Sequence, residues 1–189
     1  MAAVESQMPA IGMQAPEFSL PDPDNELHSL KEGADAYLVM FICNHCPFVK
    51  HIREELARLG RDYCARNVAM FAINSNDTTA YPGDGPVYMK KEAQDRGYSF
   101  PYLIDADQSV AKAYRAACTP DFFVFDAGRL LVYRGQLDSS RPSNNLPVDG
   151  RDLRAALDAT LAGTPVDSDQ KPSIGCSIKW MAGNAPDYC

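Results

Sequence analysis

The sequence has few basic residues, and no segment of it concentrates them. Of its 189 residues, 18 are lysine or arginine and 25 are aspartate or glutamate, which gives a formal net charge of −7. An acidic protein surface repels phosphate backbones and anionic lipid headgroups. We therefore expect neither a nucleic acid nor a membrane among its partners.

Long apolar runs and a secretory leader are also missing. No stretch approaches the roughly 20 apolar residues that a membrane-spanning helix needs, and residues 1–18 contain neither the basic nor the apolar region of a signal peptide. We expect a cytoplasmic protein. In that compartment thiols are mostly reduced, and paired cysteines are usually catalytic or metal-binding. Six cysteines in 189 residues do not make a disulfide framework.

The feature that remains is a pair of cysteines, Cys43 and Cys46, in the segment Cys43-Asn44-His45-Cys46-Pro47. The preceding residues 37–42 are continuously apolar, which predicts a short central strand covered on both faces. After the pair, apolar residues recur at intervals of three and four, which predicts a helix with one buried stripe. These residues are Phe48, Ile52, Leu56, Leu59 and Tyr63. The pair therefore lies at a strand-to-helix junction, where Pro47 suits the first helical turn.

This position favours thiol–disulfide exchange. The attacking species is a thiolate, and the N-terminus of a helix stabilises an anion. We expect Cys43 to be the exposed attacking thiol and Cys46, one turn inside the helix, to resolve the mixed disulfide. His45 is expected to add positive charge or a hydrogen bond to the Cys43 thiolate, which makes the disulfide more oxidising. As a plain solvated loop residue, His45 would leave the pair functional.

A zinc site is the main alternative use of two cysteines at this spacing, but it needs a second pair of ligands close together. The other cysteines and two of the histidines stand alone. They are Cys64, Cys118, Cys176, Cys189, His28 and His51. We therefore expect no metal. No nucleotide-binding loop is present, so no cofactor is expected either.

The pattern of the whole chain predicts one α/β domain, residues 1–163, followed by a tail, residues 164–189, docked on the domain. An N-terminal hairpin is predicted around the proline- and aspartate-rich turn at 21–25. Asp105 and Gln108 predict a capping box for a helix that ends at Ala116. The remaining predicted strands are 68–73, 100–104, 122–125 and 130–134, and the remaining helices are 87–96 and 149–162.

Three segments resemble the thioredoxin superfamily, specifically its peroxiredoxin-like or thioredoxin-like branch with a CxxC motif. They are Gly12-x-x-Ala15-Pro16-x-Phe18-x-Leu20, Cys43-x-x-Cys46-Pro47 after its strand, and Thr119-Pro120. The resemblance implies a thioredoxin fold, with a central mixed sheet flanked by helices. It also implies that Thr119–Pro120 is a cis peptide bond beside the cysteine pair, where its backbone binds the substrate.

The peroxidase site of that superfamily is altered. Peroxiredoxins carry a P-x-x-x-T-x-x-C pattern; aligned on Cys46 the proline and threonine positions hold Val39 and Cys43, and aligned on Cys43 they hold Ala36 and Met40. Function is inferred from the site rather than the fold. We predict a thiol–disulfide oxidoreductase acting on disulfide-bearing proteins or small molecules, reduced by a thiol or a reductase. A thiol peroxidase and a non-enzymatic redox sensor are the alternatives.

Two further cysteines are candidates for a third redox thiol. Cys118 immediately precedes Thr119-Pro120, so the resemblance implies that it lies near the pair, as a redox partner or as a small buried filler. Cys176 lies in an apolar stretch of the tail that must be buried somewhere. Either the tail folds back so that Cys176 reaches the pair, or the tail is a docked structural segment with an inert thiol.

Overall fold

A computed structural model describes residues 3–189 and contains a five-stranded sheet with helices on both faces. Within the described residues, the strands are β1 (Ala3–Glu5), β2 (Ser19–Pro21), β3 (Leu27–Ser29), β4 (Ala36–Phe41), β5 (Val68–Asn74), β6 (Tyr102–Ile104), β7 (Cys118–Thr119), β8 (Asp121–Asp126), β9 (Leu131–Gly135) and β10 (Ile174–Ser177). The helices are α1 (Pro47–Cys64), α2 (Pro86–Arg96), α3 (Ser109–Ala113) and α4 (Arg151–Leu161), with a 3₁₀ turn at Pro82–Asp84.

The central sheet has the strand order β6-β5-β4-β8-β9. β4 and β6 are parallel to β5, whereas β8 is antiparallel to β4 and β9 to β8. β4 therefore occupies the middle of the sheet, and all six of its residues are buried. The predicted mixed sheet flanked by helices is confirmed.

Side chains of β4 alternate between two apolar cores. Leu38 and Met40 pack on the face that α1 and α4 cover, whereas Tyr37, Val39 and Phe41 pack on the face that includes α3. Strand side chains point alternately to opposite faces, so a central strand between two helical layers is apolar throughout. This arrangement fixes the carboxyl end of β4, and with it Cys43, inside the protein.

Two local predictions have clear outcomes. The N-terminal hairpin is confirmed, since β2 and β3 pair antiparallel. The capping box is wrong: α3 ends at Ala113, and the Gln108 side-chain amide donates to the carbonyl oxygens of Ser75 and Lys179 instead of reaching back along the chain. Asp105 still caps the helix by accepting the N–H groups of Val110 and Ala111.

The tail contributes β10 to a second sheet, in which it lies between β1 and β7. β10 pairs antiparallel with β7, and Cys176 lies opposite Thr119 in the register. The apolar stretch of the tail thus supplies a strand beside the predicted active site. Among the described residues, no helix combines the length and the apolar character that crossing a membrane requires.

Candidate active site

Cys43 and Cys46 lie between the end of β4 and the start of α1, at the predicted strand-to-helix junction. Cys46 is the N-cap of α1, and Pro47 is its first residue. Both thiols are enclosed, because Cys43 is 1% exposed and Cys46 is fully buried. The expectation that Cys43 is exposed is therefore wrong for this conformation. The 3₁₀ turn closes one side of the motif, since the Asn44 side chain donates to the Gly83 carbonyl oxygen at 3.2 Å.

Thr119 contacts both cysteines from the other side. The Cys43 Sγ atom lies 3.4 Å from Thr119 Oγ1, and the Cys46 thiol donates to the Thr119 carbonyl oxygen at 3.1 Å. The following bond to Pro120 is cis, as the family resemblance implies. The edge of Thr119 that the resemblance assigns to an incoming substrate is paired with β10. The chain's own tail therefore covers the predicted substrate platform.

The surroundings of the two thiols favour a thiolate at Cys46 over one at Cys43. A hydrogen bond from the Cys43 thiol is the largest of the effects that lower the pKa of Cys46 to about 5, and the Val49 N–H adds to it. The same hydrogen bond, followed by burial and by the nearby Asp84 carboxylate, raises the pKa of Cys43 above its ordinary value. Unpaired N–H groups at the start of a helix stabilise an anion. In this chain it is Cys46, the N-cap of α1, that lies at these groups, whereas the sequence analysis expected the thiolate at Cys43.

Asp84, which is not among the residues predicted for the site, is a completely buried carboxylate that holds the motif in place. Its Oδ1 accepts the backbone N–H groups of Asn44 at 2.9 Å and His45 at 3.1 Å. Its Oδ2 accepts the Asn76 side-chain amide at 2.8 Å and lies 2.5 Å from His45 Nδ1. Both oxygens are therefore satisfied, as a buried charge requires.

Asp84 also determines what His45 can do. The same Nδ1 atom that lies 2.5 Å from Asp84 is 3.9 Å from Cys43 Sγ, so the short contact belongs to the carboxylate. The imidazole stacks on the Tyr81 ring with centroids 5.4 Å apart. His45 is thereby fixed in orientation next to Cys43. Its expected stabilisation of a Cys43 thiolate is opposed by Asp84, which acts on the pKa of Cys43 in the other direction.

The sequence carried only a weak signal for Asp84. It lies in Tyr81-Pro-Gly-Asp-Gly-Pro86, a composition that indicates a turn-rich loop, in which aspartate is common for local reasons. Nothing in that pattern distinguishes a solvated turn aspartate from one that reaches the motif at Cys43.

One donor set near the pair has the residue types of a metal site. The ligand atoms of Cys43, His45 and Asp84 all lie within 4.8 Å of one another. A cation bound there would compete with the four donors that already occupy the Asp84 oxygens. The arrangement is complete as a hydrogen-bonded network, which favours a positioning role for Asp84.

We expect Asp84→Asn to raise the reactivity of Cys43. Removing the carboxylate removes one cause of the raised Cys43 pKa, so the thiolate forms at lower pH. The measurement is the rate of iodoacetamide alkylation between pH 6 and 10, in a Cys46→Ser background where Cys43 titrates without its partner. A several-fold faster reaction near pH 7 is expected.

The matched control is Asp138→Asn, which neutralises another buried carboxylate that is not among the main causes of the raised Cys43 pKa. An Asp84→Asn rate equal to or below that of the control would contradict the role assigned to Asp84.

The remaining cysteines differ in their relation to the pair. Cys176 is 4% exposed, and hydrogen bonds from its thiol and its backbone help to lower the Cys46 pKa. Cys118 is fully buried, and its thiol donates to the Pro120 carbonyl oxygen at 3.6 Å. Cys64 is half-buried near the end of α1, and Cys189 is exposed. Of these four residues, Cys176 is the one that pairs with Thr119, the residue that contacts both cysteines of the pair.

Known proteins similar to this chain include one family and two solved structures of more than 50% identity. A model of the AhpC/TSA family matches residues 11–134. A crystal structure of an uncharacterized conserved protein from Geobacillus kaustophilus is 57% identical, covers 96% of this chain and 97% of its own, and superposes with a TM-score of 0.93. A hypothetical protein from Sinorhizobium meliloti 1021 is 51% identical over 95% of this chain and 99% of its own, with a TM-score of 0.93.

More distant structures share the fold. A secreted disulfide oxidoreductase from Mycobacterium tuberculosis is 14% identical, covers 75% of this chain and 95% of its own, and has a TM-score of 0.57. Among curated proteins, no significant match was found.

Proposed function

The chain belongs to the AhpC/TSA family, and on that premise we propose that it is a thiol–disulfide oxidoreductase whose Cys43 and Cys46 reduce or form disulfides of proteins or small thiols. The observation that carries the proposal is the position of both cysteines at the start of α1 beside the cis bond Thr119–Pro120, with Cys43 Sγ 3.4 Å from Thr119 Oγ1 and Cys46 Sγ 3.1 Å from the Thr119 carbonyl oxygen. A thiolate near neutral pH is the reactive species of thiol–disulfide exchange. In the proposed exchange, Cys43 attacks the substrate and the Cys46 thiolate serves as the resolving group.

Cys43 is proposed to meet the substrate first. Its neighbours in the motif, Asn44 and His45, are partly exposed, whereas Cys46 is fully buried and bonded to Thr119. As Cys43 attacks a substrate sulfur, its proton passes to Cys46, the thiol whose interaction with Cys43 is the largest cause of the shift in the Cys43 pKa. The first substrate thiolate leaves and takes up that proton.

The second step completes the exchange. The Cys46 thiolate attacks Cys43 Sγ, a Cys43–Cys46 disulfide forms, and the second half of the substrate leaves as a thiolate that takes up a proton from water. Two electrons have then passed from the cysteine pair to the substrate disulfide. Asp84 and His45 hold the motif during these steps but exchange no electrons, so a thiol or a reductase must restore the dithiol.

A comparison of two substrates tests the proposal. We expect the purified protein, with dithiothreitol as electron source, to reduce insulin disulfides faster than it consumes hydrogen peroxide under the same conditions. The reason is that the threonine and proline that bind peroxide in the P-x-x-x-T-x-x-C pattern are absent. Cys64→Ser is the matched control, because Cys64 lies at the far end of α1 from the pair.

Each other outcome favours one alternative. Rapid peroxide turnover that survives the loss of either Cys43 or Cys46 would replace the proposal with a thiol peroxidase. Absence of both activities would favour a redox sensor.

A further inference from the structure

We propose that Cys176 is a third redox thiol, which attacks the Cys43–Cys46 disulfide and forms a new disulfide with Cys46. This inference rests on the proposed function and extends it to the regulation of the same site. Its starting point is the position of β10, which occupies the edge of the strand that contains Thr119. There the chain supplies its own strand, with a cysteine in it, to the exchange site.

The backbone of β10 lies unusually close to the site. A Cβ atom on Gly175 would lie 2.0 Å from the Thr119 carbonyl oxygen and 2.6 Å from the Thr119 carbonyl carbon. Only a residue without a side chain allows this approach. Because Cys176 follows directly and lies opposite Thr119, its position relative to the pair is set by backbone pairing.

Cys46 and Cys176 are both neighbours of Thr119. The Cys46 thiol donates to the Thr119 carbonyl oxygen at 3.1 Å, and Cys176 is the residue of β10 that pairs with Thr119. Cys118, on the same short strand as Thr119, bonds to the Pro120 carbonyl oxygen instead. Interactions with the Cys176 thiol and backbone are also among the causes of the lowered Cys46 pKa. Cys176 is therefore the thiol placed to react with Cys46.

The oxidation state of the pair controls the reactivity of Cys176. In the reduced protein, burial and then the hydrogen bond and charge of Cys46 raise the pKa of Cys176 to about 12. Its thiol remains protonated and donates to the Cys46 thiolate. Oxidation of the pair removes the charge on Cys46, and with it two of the causes that keep Cys176 protonated. Cys176 thus becomes a better nucleophile when there is a disulfide for it to attack.

The exchange balances without any external oxidant. The Cys176 sulfur attacks Cys46 Sγ, the Cys46–Cys176 bond forms and the Cys43–Cys46 bond breaks. Cys43 leaves as a thiolate and takes up the proton that Cys176 has lost. The new disulfide then joins the start of α1 to β10, and Cys43 is a thiol again. The strand that covers Thr119 is thereby linked covalently to the rest of the site.

Disulfide mapping tests this step on the full-length chain. Trypsin separates the relevant cysteines: Cys43 and Cys46 share the peptide 32–50, Cys176 lies in 155–179 and Cys189 in 180–189. Wild type and the variants Cys43→Ser and Cys46→Ser are oxidised with one equivalent of diamide, blocked with N-ethylmaleimide at low pH, and digested. We expect the 32–50 and 155–179 peptides to be linked in wild type and in Cys43→Ser, and at least about tenfold less in Cys46→Ser.

The exposed Cys189 serves as the internal control, because unspecific oxidation would link it before the buried Cys176. Linkage of 32–50 to 180–189 at the same level as to 155–179 would overturn the inference, as would absence of the 155–179 link in both wild type and Cys43→Ser. Circular dichroism on each variant checks that it is folded.

The same digest separates this inference from the proposed function. A Cys43–Cys46 disulfide within peptide 32–50, with insulin reduction but without a link to Cys176, would leave the oxidoreductase proposal standing and remove the third thiol. A Cys46–Cys176 link without insulin reduction would do the reverse.

Discussion

Replacing Cys43 or Cys46 with serine is expected to lower the rate of insulin-disulfide reduction by on the order of 10³-fold or more, because each thiol forms a bond that a serine hydroxyl does not. The two losses differ in kind. Without Cys43 the first attack falls to Cys46, which Thr119 and Cys176 enclose. Without Cys46 the first attack still occurs, but the mixed disulfide on Cys43 has no resolving thiol within the pair.

The difference between the two variants is measured by incubating each with oxidised glutathione and determining the mass of the intact protein by mass spectrometry. Cys46→Ser is expected to gain one glutathione on Cys43, whereas Cys43→Ser is expected to gain it at least about tenfold more slowly. Cys64→Ser, which removes a half-buried cysteine at the other end of α1, is the control and keeps wild-type turnover. The reverse order of trapping would assign the first attack to Cys46, which has the lower pKa.

The strand–CxxC–helix unit could be predicted from the sequence because its determinants are local. A continuously apolar segment, a proline at the first helical position and a spacing of three and four residues define β4 and α1 without knowledge of distant contacts. The same holds for the hairpin of β2 and β3, whose turn residues have a specific conformational preference. These patterns predicted where Cys43 and Cys46 lie in the fold.

The distribution of charge in the site could not be predicted in this way. It depends on Asp84, which reaches the motif from a separate loop, and on Val49 and Cys43, which both stabilise a thiolate at Cys46. A buried polar contact between distant segments leaves no periodic trace in the sequence. The spacing of the two cysteines indicated exchange chemistry, but not which of them ionises first.

The strand β10 illustrates a further reason why part of the structure could not be predicted from the sequence. Its four residues, Ile174–Ser177, are too few for a periodicity, and they are stabilised by pairing with β1 and β7 on either side. Strand propensity depends on such neighbours more than on the residues themselves. The sequence therefore indicated that the tail must be buried, while the surface that buries it, the edge beside Thr119, follows only from the three-dimensional structure.

A substitution at the edge beside Thr119 is expected to have a large effect on stability. Gly175→Val should lower the free energy of unfolding by about 3 kcal/mol, the upper end of the usual cost of overpacking. A β-branched side chain suits a strand in general. Here its Cβ would lie 2.0 Å from the Thr119 carbonyl oxygen, which is a backbone atom that rotamer changes do not move. The clash is relieved when β10 moves off Thr119, which opens the covered edge and exposes Cys46 and Cys176.

Urea unfolding measures the loss of stability, and the rate of reaction with a water-soluble aromatic disulfide measures the opening of the site. Gly83→Ala is the matched control, because a Cβ at that position has no heavy atom within 4 Å and should leave the free energy of unfolding within about 0.5 kcal/mol of wild type. Faster thiol reaction in Gly175→Val in the absence of urea is expected because β10, rather than the global fold, limits access to Cys46. Unchanged stability together with an unchanged thiol reaction rate would show that β10 does not close the site in solution.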